Sequence, residues 1–167
     1  MQNKYYYLVA SLPYLKFSGE PPISKEDFFQ ECGKWLAPED MSALISADRH
    51  RYEERPEDPE ASKTWKKFDT ELRKELARIR AARKTSASYK TGDSLKSVMD
   101  QENPLLMEKK LERIRWDFLE DKEPSYMFDV NRLVIYFLKL KILERLDSFN
   151  KDKGEAFFYS LCEVHYE

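Results

Sequence analysis

The chain has 167 residues, 41% hydrophobic and 36% charged, with four glycines and a net charge of −2. That length holds one domain that buries about 70% of its unfolded surface, and the abundance of Leu, Lys, Glu and Arg over glycine favours an all-α chain. The composition excludes a disulfide scaffold, because Cys32 and Cys162 are distant in sequence and the expected reading is reduced cytoplasmic thiols. It also excludes a membrane-spanning helix: the longest apolar run, Leu133 to Leu138, is six residues against the ~20 required. No apolar stretch of signal-peptide length follows Met1, since Pro13 interrupts the N-terminal tract.

Charge is sorted along the chain. Residues 20–62 carry 5 basic and 12 acidic side chains, and residues 63–90 carry 10 basic and 3 acidic. Three parts are expected within one compact domain: an N-terminal helical part over 1–84, a linker over 85–103 and a C-terminal helical part over 104–167.

From the N-terminus, Tyr5 to Leu12 mixes aromatic and aliphatic residues without a clean period, so pattern alone leaves strand and helix open. The glycine and prolines of "SGEPP" make a break. Ser24 and Asp27 predict a capped helix start, with Phe28, Phe29, Cys32, Trp35 and Leu36 on one stripe. Pro38 is suited to the first turn of a second helix. From Ala61 to Lys84 the chain reads as a long helix with a seam of Trp65, Phe68, Leu72, Leu76, Ile79 and Arg83, narrow enough for antiparallel packing on another long helix. The small polar residues of 85–94 suggest a hinge.

Asn103 and Pro104 mark the next helix start, and Met107, Leu111, Ile114 and Phe118 give its stripe. Asp129 caps the following helix, 129–147, whose apolar residues leave no wide polar face. It is expected to be the central helix, surrounded by 104–121, 61–84 and a short C-terminal helix bearing Phe157, Leu161 and Val164. Arg132 and Lys139, seven apart, are expected to share one exit to water. The fold class is therefore an all-α bundle of about six to seven helices around a buried central one.

Catalytic chemistry finds few carriers. No Gly-rich phosphate loop, nucleophile elbow or metal-spaced set of His, Cys and Asp is present, and the only histidines are His50 and His165. Cys162 and His165 share a helical spacing with thiol–base pairs, but a buried cysteine beside an exposed histidine is the plainer reading. Neither a cofactor nor a metal is expected, and the chain is read as a non-enzyme.

The basic helix offers an interaction face. Lys63, Lys66, Lys67, Arg73, Lys74, Arg80 and Lys84 lie off its apolar seam and are suited to phosphates or an acidic protein, if they are not neutralised within the fold. Arg73, Lys74 and Arg80 are the first choice for partner binding. Arg115 and Trp116 are the second, although a tryptophan there is more often core.

At "YYYLVASLP", "NPLLMEKKLERIRWDFLE" and "FDVNRLVIYFLKLKILERL" the chain resembles a bacterial family encoded among V/A-type ATP synthase subunits in chlamydiae, Bacteroides and spirochaetes. That family is similar to a shortened form of the central-stalk socket, the component called d in eukaryotic rotary ATPases. The socket is all-helical and joins the axle to the membrane rotor ring. Tyr5, Tyr7 and Ala10 are similar to the aromatic-x-aromatic-x-x-Ala-Arg pattern of its entry helix, with Ser11 in place of the arginine, and this implies that Tyr5–Leu12 is helical. Asp129, Asn131 and Leu133 resemble the Asp-x-Asn-x-Leu opening of its core helices. The resemblance implies a non-catalytic ATPase component, cytoplasmic and peripheral to the membrane, whose partners are central-stalk subunits and the rotor ring. At 167 residues the chain is about half of a full socket, so either fewer helical units fill the role or the protein is an assembly factor. A nucleic-acid partner is the remaining alternative.

Overall fold

The computed structural model describes residues 5–17, 19–48, 55–85, 92–149 and 151–162. Every regular element among them is helical: α1 (Tyr6–Ser11), α2 (Lys25–Trp35), α3 (Pro38–Asp48), α4 (Glu60–Lys84), α5 (Asp93–Met99), α6 (Pro104–Lys122), a 3₁₀ turn (Glu123–Ser125), α7 (Val130–Asp147) and α8 (Lys151–Cys162). The all-α expectation holds, and the ambiguous N-terminal tract is a helix.

Local chemistry sets most boundaries. Ser24 Oγ accepts the Asp27 amide at 3.1 Å, Asn103 Oδ1 that of Leu105 at 2.8 Å, and Asp129 Oδ1 that of Arg132 at 3.1 Å. Each satisfies a donor that the first helical turn leaves without a partner. The segment read as a linker over 85–103 contains α5; residues 86–91 lie outside the described residues, so the expected hinge there is only partly within them.

The central position goes to α7, which buries Leu133, Val134, Ile135, Phe137, Leu138, Leu140, Ile142 and Leu143. Apolar residues on all its faces require neighbours on all sides, and α2, α3, α4 and α6 supply them. Phe28 of α2 lies nearly parallel to both Tyr136 and Phe137, with centroids at 5.4 and 5.8 Å. Of the C-terminal helix expected to flank α7, the described apolar side chains Phe158, Tyr159 and Leu161 are exposed, and Phe157 and Val164 lie outside the described side chains.

A second, smaller core joins the far half of α4 to α5 and α6 through Leu72, Leu76, Ile79, Val98, Met99 and Leu111. Helices α4 and α6 run antiparallel: Phe68 stacks on Phe118 with centroids 3.8 Å apart, and Arg83 near the other end reaches Asp100. Arg83, counted with the apolar seam, instead donates to the Met99 carbonyl at 2.7 Å and so completes the C-terminal end of α5.

Lys139 and Arg132 also differ from expectation. Lys139 is buried instead of extending to water, while the Arg132 side chain stays 29% exposed, and both converge on Glu123, at 2.5 and 2.7 Å. The Lys139 ammonium also sits 4.8 Å above the Trp116 ring, a cation–π contact strengthened by burial.

Several helix starts are completed from a distance. Asn131 Oδ1 accepts the Ala61 amide of α4, and Glu144 Oε1 accepts the Lys25 amide of α2. Tyr5 Oη accepts the Ala37 amide before α3 at 3.3 Å and donates to the Asp40 carboxylate. Thus α7 is both the apolar centre and the source of polar anchors for its neighbours.

Candidate functional site

Helices α4, α6 and α7 enclose an open cleft of about 490 Å³. Its apolar floor is Leu76, Leu111, Leu138 and Ile142, with Trp65 and Ala47 at one end. Basic side chains stand around it: Lys66, Arg73 and Arg80 from α4, Arg115 from α6, and Lys141 and Arg145 from α7. Against these six are three carboxylates, Asp69, Glu108 and Glu112. The lining therefore carries a net excess of three positive charges.

The deep charges form a network. Asp69 receives Arg73 Nε at 2.7 Å and Arg115 Nε at 2.9 Å, and Glu112 receives Arg115 Nη1 at 2.9 Å and Arg145 Nε at 3.2 Å. Burial pushes the Glu112 carboxyl above the usual carboxylate range, against the opposing pull of Arg115 and Arg145. Burial alone disfavours the Arg115 charge, yet Glu112 and Asp69 outweigh it and hold the guanidinium protonated more firmly than usual. Asp69 and Glu112 are thus committed to structure. The rim is different: the Arg73 and Arg145 side chains are 53% exposed, and Arg80 is exposed as well.

Of the residues expected to bind a partner, the fold brings Arg73, Arg80 and Arg115 together in this cleft. Lys74 is not among its lining residues; it pairs with Glu71 at 2.7 Å, one helical turn away. Trp116, the second-choice anchor, is a correction: it is 2% exposed, beneath Lys139 and edge-on to Phe17, because α6 turns that face into the core. Lys66 is corrected too. It is 6% exposed and bonds Asp58 at 2.6 Å, so it cannot track phosphates at the surface. The exposed cations of α4 are partly neutralised by carboxylates of the same helix, Lys74 by Glu71 and Arg78 by Glu75.

The residues carrying the resemblance have distinct places. Tyr5 is buried and tied to α3, whereas Tyr7 is 75% exposed and Ala10 is exposed. Asp129 caps α7, Asn131 joins it to α4, and Leu133 is wholly buried.

Lys141 and Arg145 were missed as site residues. Their spacing of four on α7 is one helical turn, which is a usable signal, but the apolar background of that helix directed attention to its core role. His50 and His165 lie outside the described residues. Cys162, expected to be buried, is exposed, and Cys32 is buried with its thiol pushed up to about 12 by burial and then by Glu31.

A second cavity, about 120 Å³, lies between the N-terminal segment and α7, beside Leu12, Tyr14, Arg132 and Tyr136. It is below the ~300 Å³ typical of small-molecule sites. Burial raises the Tyr136 phenol, which donates to the Pro13 carbonyl at 2.9 Å. Among the described residues no group of three His, Cys, Asp or Glu is placed to hold a metal, and no helix is long and apolar enough to cross a membrane.

Residues 82–164 are similar to a family described as a protein of unknown function (DUF2764). No curated protein and no solved structure matches the chain. The matched stretch contains α5, α6 and α7, hence one wall and the base of the cleft; Arg73 and Arg80 precede it.

Proposed function

We propose that this protein is a non-catalytic component of a bacterial V/A-type ATPase, a socket-like link between the central stalk and the rotor ring. It is cytoplasmic and held at the membrane through the complex. It carries out no bond chemistry and requires no cofactor; its work is to transmit force and present a docking surface.

The observation that carries this reading is the use made of Asp129, Asn131 and Leu133. The first caps α7, the second holds the start of α4, and the third is wholly buried. A motif resembling the opening of a socket core helix thus performs the structural work such a unit needs, fixing a central helix to its neighbour. The helices around α7 give a body whose buried side chains have discrete packing, and packed interiors transmit load with little compression. The cleft supplies cations for docking.

Purification of the tagged protein from its native membranes, with quantitative mass spectrometry of what stays bound, tests the proposal. Recovery of catalytic and axle subunits in stoichiometric amounts is the expected result. Substoichiometric, transient recovery would move the role to assembly of the same machine. Absence of every ATPase subunit under gentle conditions would overturn both. A nucleic-acid role is less favoured, because several α4 cations are paired with carboxylates rather than aligned for phosphates.

A further inference from the structure

We infer that the exposed rings of Tyr6 and Tyr7, together with Met127, form a docking face for a short arginine- or lysine-bearing segment of a partner protein. The face shares no residue with the cleft, and the inference stands independently of the ATPase role.

Backbone pairing makes the face continuous. The Tyr5 amide donates to the Phe128 carbonyl at 2.9 Å and so sets the start of α1 against the residues before α7. The Tyr6 ring then meets the Phe128 ring at 4.7 Å and the Tyr7 ring at 5.6 Å, the latter pair at 85°. Met127 stands next to Phe128 in the chain. Tyr6, Tyr7 and Met127 are 51%, 75% and 65% exposed, so ring and thioether surface is open to a partner. At about 200 Å² per side chain, those fractions leave roughly 350–400 Å² uncovered, the size of the largest patch on a typical monomer, which is often functional.

Carboxylates flank this face. Tyr5 Oη donates to the Asp40 carboxylate and accepts the Ala37 amide, which brings the first turn of α3, with Glu39, beside α1. On the other side Asn131 Oδ1 holds the Ala61 amide, which brings Glu60 beside the start of α7. Burial and then the Glu60 charge push the Tyr126 phenol up, as a carboxylate close to the residue before Met127 does. Glu39 and Glu60 are exposed and form no ion pair among the described residues. Neighbouring cations are engaged elsewhere: Lys63 Nζ donates to the Pro56 carbonyl at 2.8 Å, and Lys122 pairs with Asp121 at 3.2 Å. Lys4, next to Tyr5 in sequence, is one charge against those of Glu39, Asp40, Glu60 and Asp129.

Open rings flanked by unpaired carboxylates select a cationic occupant. A guanidinium or ammonium is drawn to the free face of a phenol ring, and complementary charge at the rim orients it. The same rim repels anionic lipid headgroups and nucleic-acid phosphates. A second copy of this chain, paired through the same face, would set like carboxylates against each other. The open area also falls well short of the ~800 Å² per partner that a stable dimer buries, and suits a few side chains of a short segment.

The test uses the full-length protein and a fluorescent peptide of eight residues alternating arginine with leucine. A second peptide has glutamate at each arginine, and vesicles containing phosphatidylserine are the third probe. The arginine peptide is expected to bind, with Kd raised at least about fivefold by Tyr7→Ala and by the double variant Glu39→Lys, Glu60→Lys, and the glutamate peptide is expected to bind at least tenfold more weakly. Thermal unfolding of each variant is measured alongside, and Met127→Ser, at an exposed position, replaces Tyr7→Ala if that variant is unstable. The inference is overturned by no saturable binding of the arginine peptide, by equal binding of both peptides, or by an unchanged Kd in folded Tyr7→Ala or in the folded double variant. Vesicle binding lost in Tyr7→Ala would overturn it in favour of a lipid surface, and a concentration-dependent dimer lost in Tyr7→Ala would do so in favour of a second copy. The peptide assay contains no component of the ATPase, so its failure leaves that role as it stands, and failure to recover ATPase subunits leaves the peptide result as it stands.

Discussion

Asn131 Oδ1 accepts the Ala61 amide at 3.0 Å across 70 residues of sequence, and its Nδ2 donates to Asp129 Oδ2 at 3.0 Å. One side chain therefore completes the start of α4 while being held in place by the cap of α7. Pro59, which precedes α4, has no side-chain hydrogen-bonding group and cannot do this itself. Asn131→Ala is expected to lower unfolding free energy by about 1–2 kcal/mol, the cost of losing a cap, as read by urea denaturation. Asn131→Asp is expected to destabilise as well, since it replaces the donor to Asp129 with a second carboxylate at hydrogen-bond distance. Recovery of stability by Asn131→Asp as pH falls below about 4 would show that charge repulsion, and not lost shape, is the cause.

Asp58 and Lys66 form the most enclosed ion pair described, with side chains 1% and 7% exposed. Burial opposes ionisation of Asp58, but hydrogen bonds from Lys66 and the Arg55 amide, together with their charges, bring its carboxyl below the usual range. A lowered folded value means that the stabilisation is present above the unfolded carboxylate value of about 3.9 and is lost as pH falls through the folded value. Unfolding free energy should therefore decline with acidification below about pH 4, with part of that slope absent in Asp58→Asn. At pH 7 Asp58→Ala should cost about 3–5 kcal/mol, because the buried Lys66 charge loses its carboxylate at 2.6 Å. Adding Lys66→Met should restore most of the loss. An Asp58→Ala protein as stable as the parent would show that Lys66 finds another partner.

Tyr5 and Tyr7 look equivalent in sequence and differ in the fold. Tyr5 is 5% exposed, with its hydroxyl between the Ala37 amide and Asp40, while Tyr7 is 75% exposed. Tyr5→Phe keeps the ring and leaves these polar groups without their partner, for an expected cost of about 1–2 kcal/mol. Tyr7→Ala should change stability by less than about 0.5 kcal/mol. Under the ATPase proposal the exposed Tyr7 ring is available to a partner, so Tyr7→Ala should reduce co-purification more than stability; equal losses in both would assign it a structural role.

The elements were legible where one short-range rule governs them. Ser24, Asn103 and Asp129 announce helix starts because a cap acts over two or three residues, and the absence of a polar face on 129–147 announces a central helix. What lay beyond reach were the partners of charged residues. Nothing local separates Lys66, which is buried, from Lys74, which is at the surface, because the difference is made by Asp58 and by the rotation of α4 against α7. Lys139 likewise reads as a snorkelling lysine until Glu123 and Trp116 are placed around it. The basic character of the α4 face was readable, and Arg73 and Arg80 do line the cleft. The opposite cationic wall, Lys141 and Arg145, becomes evident only once α7 is set beside α4. Trp116 shows the converse error: Arg115 beside it opens onto the cleft, but a helix turns adjacent residues by about 100°, so a surface position for one gives no licence to the other.

The two cysteines provide a direct check on where α2 and α8 lie. Cys32 is fully buried among the residues around Phe28, and burial pushes its thiol up to about 12, so at pH 8 almost none is thiolate and reagent has no access. Cys162 is exposed on α8. Native protein at pH 8 should therefore release about one equivalent of chromophore from an aromatic disulfide reagent within minutes, and Cys162→Ser should abolish that phase. The second equivalent should appear only on adding denaturant, at the rate of unfolding. Were Cys32 to react rapidly in the native protein, the packing of α2 on α7 through Phe28, Tyr136 and Phe137 would have to open far below the global unfolding free energy. Slow labelling of Cys162 would instead mean that a second surface covers α8, and labelling across a dilution series would separate self-association, which weakens on dilution, from a contact within one chain, which does not.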